Sequence, residues 1–396
     1  MFEDVPPAPA DPILGLTEAF KKDSNPDKIN LGVGVFTDAS GKTPLLQCAR
    51  EAEKRLASTA TSRVYLPIDG DPLFRAQVQA MILGRDSDVI FTKRAYTACA
   101  PGGTGALRIV GDFLKQHSPS IRLWMSQPTW PNHPQIFDAA GIRTDRYPWF
   151  DPIGNGLDFK AFADALKRIP AGDAVLLHGC CHNPTGVDPD PGQWEQIADM
   201  FVDRGILPIV DFAYQGFGSG IEEDAAGIRI LAGRCKEMVI CSSCSKNFSL
   251  YADRVGSVTF ITTEEQAAQR IASQIKRVIR ANYSNPPQHG FSIVSTIMAD
   301  QDLRAMWVEE VRGMRERINS LRCLFADTLA AKGVKQDFGF IKRQKGMFSF
   351  SGLNKDQVTT LREKHSIYIV ASGRVSVAGM NEKSMDRLCE AIVSVL

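Results

Sequence analysis

Along the middle of the chain, short apolar runs alternate with longer stretches whose apolar residues recur at helical spacing. RLWMS (122–126), AVLLHG (174–179), ILPIVDF (206–212), MVICSS (238–243) and SVTFIT (257–262) predict buried strands. GALRIVGDFLKQH (105–117), DFKAFADALKRI (158–169) and PGQWEQIADMFVDRG (191–205) predict the helices between them. Strand and helix in alternation predict an α/β fold, a mostly parallel central sheet wrapped by helices. Toward the C-terminus the pattern changes. AMWVEEVRGMRERINSLRCLFADTLAAKG (305–333) predicts one long amphipathic helix, followed by MFSFSGL, a further helix and IYIVASGRVSVAG. We therefore expect a large domain over residues 46–310 and a smaller α+β domain over 311–396, joined by an N-terminal segment, 1–45.

Polar residues gather where the middle strands should end. PGGTG (101–105) opens one helix, QPTWPNH (127–133) and HGCCHNPTG (178–186) follow two strands, and DFAYQG (211–216) and SSCSK (242–246) follow two more. Ligands of open parallel sheets bind outside the carboxyl ends of the strands, so these clusters mark a site. Gly102, Gly103 and Thr104 put free N–H groups and a hydroxyl at a helix N-terminus, which suits a phosphate but equally suits a plain turn. The spacing matches neither G-x-G-x-x-G nor a P-loop. Asp211 ends an apolar run, where a carboxylate needs a cation or a strong donor, and Tyr214 follows within reach of the same ligand. Lys246 is a strand-end amine suited to act as nucleophile or base; Ser243, Ser245 and Arg254 add hydroxyls and a cation. Asn183-Pro184 reads as a turn that tolerates a cis bond.

Composition narrows the class. The chain has 396 residues, 44% hydrophobic and 23% charged, as in ordinary globular proteins. Its 46 basic and 45 acidic residues leave +1, so no global field favours nucleic acid or an anionic membrane. The apolar runs are too short to span a bilayer, and MFEDVPPAPADP does not read as a signal peptide, so the cytoplasm is expected. Nine cysteines form no disulfide framework. Cys241 and Cys244 make a C-x-x-C with two readings: a redox pair or half of a metal site, or thiols that fill core. No second ligand pair is spaced for zinc, and no metal is expected.

A phosphate cup, a carboxylate and a lysine together suit pyridoxal phosphate: the lysine joins it covalently, the carboxylate keeps its ring nitrogen protonated, and the phosphate anchors it. The chain resembles the fold-type I, class I aminotransferases, close to the bacterial aspartate and aromatic branch. The residues that carry the resemblance are DPILGL (11–16), INLGVGVFTD (29–38), YLPIDG (65–70), PGGTGALR (101–108), PTWPNH, CCHNPTG, DFAYQGF, SCSKNFSLY, RVG, RANYSNPP and ASGRVSVAG.

The resemblance implies a role for each matching position. Lys246 would hold the cofactor and carry the proton, Asp211 would pair with the ring nitrogen, and His133 would stand behind Asp211. Tyr214 and Asn183 would bond the phenolic oxygen, and Trp130 would stack on the ring. Gly102, Gly103, Thr104, Ser243, Ser245 and Arg254 would hold the phosphate, with Tyr65 reaching over from a partner subunit. Arg374 and the Gly34 N–H would grip the substrate α-carboxylate, with Trp130 and Asn183 also lining the substrate position. Arg280 of the second subunit of a homodimer would take a side-chain carboxylate. The implied reaction is ping-pong transamination of amino and 2-oxo acids, aspartate with 2-oxoglutarate first and tyrosine or phenylalanine as the alternative. Val35, Thr43, Thr104 and Asn285 resemble the aspartate branch, whereas YLPIDG and RYPWFD resemble the aromatic one. Lyase or decarboxylase chemistry would use the same lysine and aspartate; a thiol-redox or metal-binding protein built on Cys241 and Cys244 is the remote alternative.

Overall fold

Seven strands make the central sheet of the protein, whose computed structural model describes residues 1–7 and 14–396. They are β1 (Ala95–Pro101), β2 (Arg122–Gln127), β3 (Arg143–Pro148), β4 (Ala174–His178), β5 (Leu207–Phe212), β6 (Met238–Ser243) and β7 (Val255–Ile261), in the order β1-β7-β6-β5-β4-β2-β3. The pairs β3/β2, β2/β4, β4/β5 and β5/β6 are parallel. β7 is antiparallel to both β6 and β1, which leaves it the one reversed strand. The α/β class is as the sequence implies, and the reversal is a feature the apolar runs do not reveal.

The central strands are apolar on both faces because helices cover both faces. Every residue of β4, β6 and β7 is buried, and β5 is buried from Pro208 onward. One large core cluster joins Leu123 and Met125 of β2, Ile209 of β5 and Val258 of β7 to Leu107, Ile109 and Val110 of the helix Gly102–His117. The helix Pro191–Arg204 shows why its residues start and stop where they do. Asp190 and Gln193 form a capping box, Pro191 fits the first turn, and Gly205 closes the end at φ 62°.

Two strands escaped the sequence reading. AYTACAP (β1) mixes small and polar residues, and RTDRYP (β3) is polar because it lies at the sheet edge, beside β2 alone.

Contacts divide the chain into two compact units. One comprises Pro44–Asn183 and Val187–Glu316 and holds the sheet; the other comprises Met1–Thr43, Pro184–Gly186 and Arg317–Leu396. In the smaller unit Ile29–Asn30 pairs in parallel with Ile367–Tyr368. There β8 (Phe348–Phe350) pairs antiparallel with β9 (Arg374–Ser376). The long helix expected over 305–333 runs Gln301–Ala331. Of the motif DPILGL, residues 11–13 lie outside the described residues. Among the described residues no helix is long and apolar enough to cross a membrane.

Candidate active site

Parallel strands deliver their carboxyl ends to one edge of the sheet, and the polar clusters stand there. β5 ends with Asp211 and Phe212 and leads into Tyr214; β6 ends with Ser243 and leads into Ser245 and Lys246. Because β7 runs the other way, its first residues arrive at the same edge. Val255 pairs with Pro101 and Gly256 with Ser243, so Arg254, immediately before β7, stands beside the start of the helix Gly102–His117. Reversal of one strand thus explains why a residue remote from Gly102 and Thr104 belongs with them.

Asp211 is 6% exposed, and a carboxylate so buried needs strong donors. Its Oδ2 lies 3.0 Å from His133 Nε2, and His133 Nδ1 lies 2.8 Å from Thr129 Oγ1. An ionised carboxylate only accepts, so Nε2–H donates to Asp211, and in the neutral ring Nδ1 accepts from the Thr129 hydroxyl. Burial pushes the Asp211 carboxyl up, but the His133 bond and the nearby His133, His178 and Lys246 together hold it below the ordinary carboxylate value. Its second oxygen, Oδ1, is buried and has no hydrogen-bond partner among the described residues. That acceptor is available to a ligand donor.

Behind this pair lies a cluster the sequence reading did not assemble. His178, at the end of β4, is the register partner of Asp211, and its ring centre is 5.2 Å from that of His133 and 4.3 Å from that of His182. His182 stacks on Trp149 at 4.9 Å and shares a 2.9 Å bond with Ser126 Oγ. Burial depresses the His178 pKa to about 3, with His133 adding to the effect, and burial also drives His182 well below its ordinary value. Both rings are therefore neutral at pH 7. Strand order brings the residues together, so sequence spacing does not reveal this cluster; the usable signal is that His178 lies at the end of a predicted strand and His133 and His182 in the polar stretches after two of them.

Lys246 is half-buried, with Nζ 4.9 Å from the centre of the Tyr214 ring. Tyr214 is buried, and Asn183 Nδ2 donates to its hydroxyl at 3.4 Å. Trp130, half-buried, meets the His133 ring edge-on at 5.2 Å. The cis peptide bond lies at Gln127–Pro128, ahead of Trp130, and not at Asn183–Pro184.

An anion cradle completes the edge. The helix Gly102–His117 starts from Pro101 with no side-chain cap, so its first N–H groups face outward unspent by capping. Gly102 has φ +72°, and a Cβ there would stand 2.3 Å from Arg254 Nη2. Gly103 comes close to Ser243, 3.4 Å from its would-be Cβ to the serine Cβ. Ser243 Oγ bonds Ser245 Oγ at 3.0 Å, and Arg254 Nη1 donates to Ser245 Oγ at 3.3 Å. Helix N–H groups, two hydroxyls and a guanidinium are the donor set of a phosphate site. With the unspent oxygen of Asp211, these residues fit pyridoxal phosphate.

The remaining predicted residues are placed elsewhere in the chain. Tyr65 is 91% exposed, and Arg280 is exposed on the helix Glu265–Asn282, where it bonds Ser284 Oγ. Arg374 and Gly34 belong to the smaller unit. Arg374 is 2% exposed and donates from Nη2 to Gly32 O at 2.5 Å. Cys241 and Cys244 are buried and unbonded to each other. Burial pushes Cys244 up to about 12 and Cys241 well above the ordinary thiol value, so neither is a thiolate at neutral pH, and the redox-pair reading loses its nucleophile.

An α/β sheet whose strand ends carry a spare buried carboxylate oxygen, an amine and a phosphate cradle defines a pyridoxal-phosphate enzyme. The profile described as aminotransferase class I and II matches residues 26–392. An aspartate aminotransferase of Salmonella typhi is 52% identical over 396 residues, covering 100% of both chains. An aromatic-amino-acid aminotransferase of Pseudomonas aeruginosa is 45% identical, covering 100% of this chain and 98% of its own. The crystal structure of an aromatic-amino-acid aminotransferase from Burkholderia pseudomallei, covalently bound to pyridoxal phosphate, superposes with a TM-score of 0.98 at 47% identity, over 100% of this chain and 99% of that one. The chain belongs to the class I and II aminotransferases.

The histidine cluster sets a pH dependence. The folded-state pKa of His178, about 3, lies below its ordinary 6.5, so the unfolded chain takes up the proton first as pH falls. Stability is therefore lost between about pH 6.5 and 3, by roughly 1 kcal/mol per pH unit from this group. His178→Gln should flatten the fall of the urea midpoint between pH 6 and 4; an unchanged slope would contradict the assignment.

Proposed function

We propose that the chain catalyses reversible transfer of an amino group from L-aspartate to 2-oxoglutarate, giving oxaloacetate and L-glutamate, with pyridoxal phosphate as cofactor. The observation that carries this reading is the buried Asp211 with Oδ1 unspent, at the same sheet edge as Lys246 and the phosphate cradle.

When bound, pyridoxal phosphate supplies an electron-withdrawing ring that stabilises negative charge at the amino-acid α-carbon. The residues do the rest. Asp211, kept ionised by His133, would offer Oδ1 to the ring N–H and hold that proton in place. Lys246 Nζ holds the cofactor, then takes the α-proton of the amino acid and redelivers it. Tyr214 and Asn183 would bond the phenolic oxygen, and Trp130 would cover one ring face. Gly102, Gly103, Thr104, Ser243, Ser245 and Arg254 bind the phosphate. Arg374, with the Gly34 N–H, binds the α-carboxylate as a fork that also orients the α-carbon. One set of groups would serve both substrates in turn.

Tyr65 and Arg280 enter from a second copy of the chain. Both are exposed on the single chain, which supports a homodimer with shared sites: Tyr65 on the partner's phosphate and Arg280 on the partner's substrate side-chain carboxylate. The working location is the cytoplasm. Aromatic substrates are the second reading, favoured by the aromatic-amino-acid aminotransferases among the relatives.

The substrate choice is tested by kcat/KM for aspartate, phenylalanine and tyrosine with 2-oxoglutarate as acceptor. Aspartate should lead; a phenylalanine value well above it reverses the choice. Shared sites are tested by mixing subunits. Lys246→Ala alone should not turn over, and Arg280→Ala alone should turn over aspartate poorly. Random exchange between them should restore roughly a quarter of wild-type sites, because half the dimers are hybrids carrying one intact site each. No recovery on mixing, with exchange demonstrated, would show that the two residues serve the same subunit.

A further inference from the structure

Arg374 sits on an aromatic platform. Its Cζ lies 4.2 Å from the centre of the Phe348 ring, while Nη2 donates to Gly32 O at 2.5 Å. Phe348 opens β8 and is 2% exposed; Arg374 opens β9, opposite Phe350 in the antiparallel register. The same ring is pressed against the backbone at Gly34, where a Cβ would come within 2.7 Å of Phe348 Cζ.

The platform is itself held from behind. Arg322, 1% exposed on the helix Gln301–Ala331, donates from Nη2 to Phe348 O at 2.7 Å and to Gly346 O. Its Nη1 reaches Ile341 O at 3.3 Å and Ser349 Oγ. A buried guanidinium is costly unless its donors are met. Here the acceptors include three backbone carbonyls, so the arginine fixes the path of the chain into β8. All of these residues belong to the smaller compact unit.

We propose that Phe348, anchored through Arg322, is a positioning residue for Arg374. The proposal rests on the reading of Arg374 as the α-carboxylate-binding group. A guanidinium lying over a ring has its orientation restricted by that contact, and its N–H donors lie in its own plane. Gly32 O takes one of them. The ring thereby settles the orientation of the fork before substrate arrives, and the ordering cost is met in folding and not in binding. Removing the ring should weaken the grip on any carboxylate while leaving the proton transfer at Lys246 nearly unaltered.

The test uses the holoenzyme. KM and kcat are measured for aspartate and 2-oxoglutarate, and the Kd of succinate, a dicarboxylate without an amino group, is measured by calorimetry. Phe348→Leu should raise both KM values and the succinate Kd together, by roughly tenfold, with kcat changed less than about threefold. Phe348→Tyr should restore all three, and Arg322→Met should shift them in the same direction as Phe348→Leu. Melting temperatures monitor folding; should Phe348→Leu fail to fold, Phe348→Met compared with Phe348→Tyr reads the same difference. A fall in kcat with KM and Kd unchanged would overturn the proposal, as would a Tyr variant no better than Leu. Arg374→Ala separates the two layers. If it leaves KM and Kd unchanged, the carboxylate reading fails; if it raises them and Phe348→Leu does not, the platform alone fails.

Discussion

A carboxylate enclosed at the end of a buried strand has to be kept ionised by its neighbours, and Asp211 is kept so by His133. Desolvation works against the charge, and a charge-assisted bond with a favourable local field works for it; the field wins. The outcome depends on where His133 stands. It follows β2, two strands away from β5, and Thr129 fixes its ring through the far nitrogen. His178 and His182 pack behind, and burial drives both rings below the ordinary histidine value, so both are neutral at pH 7. One oxygen of Asp211 is thereby consumed and the other left over, and the proposed use of the site begins with that remaining oxygen.

Strand direction does for the phosphate cradle what strand order does for the carboxylate. A parallel β7 would carry Arg254 to the opposite edge of the sheet. Reversed, it delivers Arg254 beside Ser245 and the start of the helix Gly102–His117. The fit is tight. A Cβ at Gly256 would meet Gly102 C at 2.6 Å, and one at Gly102 would meet the Arg254 guanidinium. Glycine at both positions is what permits two backbones and a cation to converge where an anion can be held.

These particulars explain how far the sequence could be read. The apolar runs of β2, β4, β5 and β6 were legible because central strands are apolar throughout, and the polar residues after them marked the edge where the structure places Asp211, Tyr214 and Lys246. The edge strand β3 was hidden by its own polarity, and β1 by its small side chains. The histidine cluster was hidden because it depends on which strands are neighbours, a property of the whole chain that no local window contains. Cys241 and Cys244 posed the opposite problem: a conspicuous local spacing whose chemistry burial removes. Tyr65 and Arg280 stay exposed on one chain, so the proposed role for them in the site needs a second copy, which no local stretch of sequence reveals.

The proposed function requires a proton held between Asp211 Oδ1 and the cofactor's ring nitrogen. Nitrogen-15 NMR of the protein loaded with ring-labelled pyridoxal phosphate reads that proton without turnover. The wild-type protein should show the chemical shift of a protonated pyridinium across neutral pH, and Asp211→Ala that of a neutral pyridine. A neutral ring nitrogen in the wild-type protein, or a protonated one that persists in Asp211→Ala, would contradict it.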